Sequence, residues 1–64
     1  MKLGENIRRA REAKGYQQGE LARMVGITEQ MMCYIEKGGK VPGLPLFALI
    51  AKTLGVSMDS LYND

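Results

Sequence analysis

An all-α bundle of five short helices is the fold that this 64-residue sequence predicts, and three observations predict it. Glycine and proline cut the chain into short pieces at Gly15, Gly26, Gly38-Gly39, Pro42-Gly43 and Gly55. None of these pieces shows the apolar and polar alternation of a half-buried strand, whereas several repeat apolar residues at three- and four-residue steps. Residues suited to helix ends stand beside the cuts: Thr28 and Ser57 as N-caps, Pro45 in a first turn.

The first helix runs from about Leu3 to Lys14, with Leu3, Ile7, Ala10 and Lys14 on one stripe, and Gly15 stops it. The second spans about Gln18 to Val25, turns Leu21, Ala22 and Val25 inward, and closes at Gly26. Gln17 is a weaker N-cap than serine or threonine, and Gly19 lowers helicity by up to ~1 kcal/mol, so this helix is expected to be the softer one. Thr28 caps the third helix, which ends near Lys37 at Gly38-Gly39. After the loop Lys40-Val41-Pro42-Gly43 comes the most apolar element, about Leu44 to Leu54, where Pro45 suits a first turn because its missing N–H would find no partner there. Gly55 ends it, and Ser57 caps a short fifth helix presenting Met58 and Leu61.

Residues 1–64 are expected to form one domain, since a chain this short hides only roughly 60% of the surface it exposes unfolded. The single cysteine, Cys33, cannot close an internal disulfide, and without histidine there is no Cys/His metal site, so no metal or cofactor is expected. Helix packing, aided by dimerisation, has to supply the stability. Nine Lys+Arg against seven Asp+Glu give a net charge of +2, and the excess lies in residues 1–43, which carry +3, while residues 44–64 carry −1. No apolar run approaches the ~18 residues of a membrane span and no signal-peptide core opens the chain, which reads as a soluble cytoplasmic protein. With no histidine, no paired-carboxylate cleft and little room for a pocket, neither an enzyme nor a small-molecule substrate is expected.

The second and third helices, joined through Gly26, form a helix-turn-helix pattern at about residues 18–37. Ala22 is small where the two helices cross, Gly26 can take the left-handed turn, and Met32 and Ile35 face back to the core. The text surrounding this pattern extends it: Ile7-Arg8, Arg11, Lys14-Gly15, Gln18-Gly19-Glu20-Leu21-Ala22, Val25-Gly26-Ile27-Thr28, Ile35-Glu36-Lys37-Gly38, Pro42, and Ile50 through Leu61. In these residues the chain resembles, over nearly its whole length, the phage-repressor family of helix-turn-helix proteins, the Cro and lambda-repressor-like (XRE) domains. It departs from the family in Gly19, where an acid or alanine is more usual.

The resemblance implies sequence-specific double-stranded DNA binding by a homodimer that regulates transcription. It also implies residue roles. Gln18 would hold a DNA phosphate, as would Lys37, Gly39 and Lys40 in the loop that straddles the backbone. Thr28, Glu29, Gln30, Met31 and Tyr34 would approach the major groove. Arg11 and Glu36 would form an internal ion pair.

The third helix also sorts on its own wheel. Met32 and Ile35 share the inward face, Gln30 and Tyr34 point the opposite way, Met31 lies on the boundary and is open to either role, and Cys33 points outward as a solvated thiol. Gln30 can pair with adenine N6/N7, Glu29 can accept from cytosine N4, and Thr28 or Met31 can touch a thymine methyl. Glu29 is equally explained by the helix dipole. No arginine lies on this helix to contact guanine. Arg8, Arg9 and Arg23 read as solvated faces, with Arg8 or Arg9 as phosphate neighbours.

Two functions compete. The first is a dimeric repressor with two third helices about 34 Å apart on a pseudo-palindromic operator, Leu61 and Tyr62 supplying the dimer surface. The second is a protein-interaction module of the antirepressor or antitoxin type, which Met31-Met32-Cys33-Tyr34 favours because methionine and tyrosine suit adaptable contacts.

Overall fold

Five α-helices build residues 2–63, the part of the chain that the computed structural model describes: α1 Leu3–Ala13, α2 Gln18–Met24, α3 Glu29–Glu36, α4 Leu44–Leu54 and α5 Met58–Tyr62. Their starts follow from local chemistry. The Thr28 hydroxyl accepts from the Met31 N–H at 3.0 Å, and the Ser57 hydroxyl accepts from the Ser60 N–H at 3.0 Å. The weak cap at Gln17 is supported from within the helix, because the Glu20 carboxylate reaches back to the Gln17 N–H at 3.1 Å. Gly43 precedes α4, with Pro45 in the first turn.

Ile7, Leu21, Met32, Ile35, Ile50, Leu54 and Leu61 are sealed from solvent, and Leu3, Ala22, Val25, Phe47 and Ala51 complete the core. α2 packs against α3, α1 packs against α3, α4 and α5, and α5 closes on α4. Two backbone features set the angles. Gly26 sits at φ +79° in the turn between α2 and α3, a conformation that a Cβ resists, and the Ile27 N–H that follows donates to the Ala22 carbonyl at 2.9 Å. At Gly4, α1 comes so close to the end of α3 that a Cβ would run into the Ile35 and Glu36 carbonyls.

Two expectations are corrected. Lys14 is exposed and lies past the end of α1, so the inner stripe of that helix is completed instead by Asn6 and Arg11, both buried. Asn6 affords this because its side-chain N–H donates to the Leu61 carbonyl at 2.9 Å. Leu61 is 1% exposed, part of the core and unavailable to a dimer partner. The large apolar side chains left exposed outside α3 are Met24, Val41, Leu44, Leu49 and Tyr62 among the described residues. No helix there is long and apolar enough to cross a membrane.

Candidate nucleic-acid interface

The outer face of α3 begins at its N-cap, Thr28, which is exposed and whose hydroxyl is engaged in the cap. Glu29 follows, exposed, with its carboxylate leaning back over the first turn of α2: a Cβ on Gly19 would lie 3.0 Å from Glu29 Oε1. The absence of a side chain at Gly19 is therefore matched to where Glu29 rests. Gln30 is exposed. Met31 is half-buried and packs on the core, so it offers only an edge outward. Tyr34 is 59% exposed, and its ring lies over Gly39, where a Cβ would meet Cδ1 at 2.9 Å. The Gly39 N–H donates to the Tyr34 carbonyl at 2.9 Å, which ties the loop carrying Lys37, Gly39 and Lys40 to the exposed face of α3. These three loop residues are all exposed.

Beside this face lies a polar joint. The Arg11 guanidinium forks onto Glu36, Nε to Oε2 at 2.7 Å and Nη2 to Oε1 at 3.1 Å, and its Nη1 donates to the Tyr16 carbonyl at 2.9 Å. The two side chains are 10% and 3% exposed, so the pair is shielded and its geometry bidentate. The bond to Glu36 raises the Arg11 pKa above its ordinary value, with burial working the other way. A raised basic pKa stabilises the fold below the ordinary value and is lost only as pH climbs through the raised one. This contribution therefore persists through neutral pH and fades in strong alkali.

Gln18 joins the same carboxylate, its Nε2 donating to Glu36 Oε1 at 3.0 Å. Sequence reasoning gave Gln18 a phosphate and Arg11 with Glu36 a structural pair, and missed that the three meet. It also missed the position of Cys33. That residue is not a solvated bystander: it is half-buried and lines an open cleft of about 250 Å³ with Arg8, Arg11, Gln18, Glu36 and Lys37. The wheel had placed Cys33 away from the core, which is correct, but that side of α3 is where α1 and the start of α2 converge. Arg8 reaches the cleft while pairing with Glu12 at 3.3 Å, and Arg9 pairs with Glu5 at 3.3 Å on the exposed side of α1.

A short capped helix with one sealed face and one exposed polar face, set behind a glycine turn and flanked by a lysine-bearing loop, defines a helix-turn-helix domain. The sequence matches the helix-turn-helix family model over residues 7–61, and the chain belongs to that family. It is similar to the HTH-type transcriptional regulator YgzD of Bacillus subtilis, 36% identical over 60 residues that cover 94% of this chain and 91% of that protein. In structure it is similar to SinR, the master regulator for biofilm formation solved in complex with DNA. The TM-score is 0.88 at 27% identity, covering 95% of this chain and 98% of that one. The P22 c2 repressor in complex with a synthetic operator is equally near, with TM-score 0.89 at 28% identity and coverage of 95% and 92%. The fold is the lambda-repressor-like one that the sequence led us to expect.

Proposed function

We propose that the chain is a sequence-specific double-stranded DNA-binding regulator of transcription, a repressor that works in the cytoplasm and lays α3 in the major groove. The observation that carries this is the division of α3: Met32 and Ile35 are sealed, while Thr28, Glu29, Gln30 and Tyr34 stand exposed beside the cationic loop. Both complexes named above, SinR with DNA and c2 with its operator, support the reading. Gln30 is the base reader, Thr28 and the edge of Met31 serve thymine methyls, and Tyr34 packs on a base edge or donates to a phosphate. Gln18, Lys37, Lys40 and the Gly39 backbone take phosphates and set the register. Glu29, leaning on Gly19, reaches a cytosine only by swinging away from α2.

A homodimer on a pseudo-palindromic operator fits this arrangement. Its surface is drawn from Val41, Leu44, Leu49 and Tyr62, since Leu61 is core. The protein-interaction alternative loses its main support, because Met32 is buried and Met31 and Cys33 are half-buried.

Affinity for a mixed-sequence DNA duplex, measured at two salt concentrations, tests the reading. Binding at low salt that weakens by about 10³-fold or more between 50 and 200 mM salt is expected for a protein neutralising several phosphates. Absence of binding at low salt would overturn it. A Gln30→Ala, Tyr34→Phe double variant should then keep this non-specific binding and lose preference for the selected operator.

A further inference from the structure

Glu36 accepts more than the ion pair requires. Arg11 already supplies it with two hydrogen bonds, one to each oxygen, and among the described residues no buried side-chain polar atom lacks a partner. The third bond, from Gln18 Nε2 at 3.0 Å, adds an orientation. A carboxylate only accepts, so the amide of Gln18 must turn its NH₂ end toward Glu36 and cannot present its carbonyl there. One hydrogen of Nε2 is used in this bond. The second remains at a half-buried side chain that lines the cleft with Arg8, Cys33 and Lys37. Arg11 cancels the carboxylate's charge, so an anion can approach the cleft without meeting an uncompensated acid.

We infer that Glu36 is a positioning residue for DNA binding, holding the Gln18 amide N–H toward a backbone phosphate seated at the cleft between Arg8 and Lys37. This rests on the DNA-binding reading above. If Glu36 were removed, the amide would be free to flip, and a flipped amide offers its carbonyl oxygen to the phosphate. Glu36 thus joins the fold of the helix-turn-helix to the quality of one of its DNA contacts, without touching DNA itself.

The test compares Gln18→Ala, the charge-neutral exchange Arg11→Met with Glu36→Leu, and the triple variant. Each is read by fluorescence anisotropy on a mixed-sequence 20-bp duplex at several salt concentrations. The first two should each weaken binding by about tenfold, the size of one hydrogen bond to a charged group. The triple variant should lose no more than either. The dependence on salt should stay as in the wild type, since a neutral amide releases no counterion. Wild-type affinity in the Arg11→Met, Glu36→Leu protein, or losses that multiply to about a hundredfold in the triple variant, would overturn the assignment while leaving DNA binding intact.

Should the exchange fail to fold, NMR of the unmodified protein decides. The Gln18 side-chain amide protons should exchange more slowly than those of Gln17 and Gln30 and should shift when the duplex is added. A Gln18 amide that behaves like the other two overturns the assignment. A wild type that binds no duplex at low salt removes the DNA reading itself, and the positioning role with it.

Discussion

Where α1, α2 and α3 meet, the chain buries an arginine and a glutamate and bonds them to a glutamine and a backbone carbonyl, whereas α4 is seated through Phe47, Ile50, Ala51 and Leu54. Apolar contact is strong but non-directional, so it fixes that a helix packs and leaves some freedom in how. A bidentate ion pair and its amide neighbour tolerate little rotation. The directional bonds lie behind α3, the helix proposed to face DNA, and the apolar seat lies under α4.

The largest break should come at the polar joint. Arg11→Ala leaves Glu36 buried with Gln18 as its one remaining donor, and loss of about 3–5 kcal/mol is expected, close to the whole stability of a small domain. Urea unfolding followed by circular dichroism would measure it. A loss below ~1 kcal/mol would mean that the joint is no firmer than a surface pair. In the apolar half, Leu61→Ala should cost about 2–4 kcal/mol by leaving a cavity, with the same optical readout. Its self-association, measured by sedimentation, should be unchanged for the population that stays folded. Gly4→Ala is the smaller test of how closely α1 approaches α3, at about 1–3 kcal/mol for a forced shift of packed backbone. A neutral result there would show that the joint can open by the width of a methyl group.

How much of this was readable from the sequence depends on whether the cause was local. Helix starts and stops at Thr28, Ser57, Gly15, Gly26 and Gly55 need only neighbouring residues, and the helices begin and end within two residues of those marks. The inward face of α3 was likewise legible, since Met32 and Ile35 lie on one side of any helical wheel. What a wheel lacks is the identity of the neighbour. It could show that Cys33 faces away from the core but not that α1 and Gln18 stand on that side. Leu61 looked like an exposed apolar end because its partners, the first turns of α1, lie more than fifty residues away. Asn6 left a signal that could have been read: a polar residue between Leu3 and Ile7, on a stripe otherwise facing inward, calls for a buried partner.

The bond from Asn6 to the Leu61 carbonyl also bears on the order in which this protein can be finished. A chain growing from its amino terminus makes α1 first, yet the buried face of α1 has no complete cover until α5 has been synthesised. Until then Asn6 keeps its amide for water, and Ile7 lacks part of its surroundings. A product cut short between residues 37 and 61 would carry an intact helix-turn-helix segment on an unsealed core, exposed to the proteases that remove incomplete chains. The hydrogen bond from Asn6 and the buried Leu61 side chain thus make completion of the core wait on the synthesis of α5.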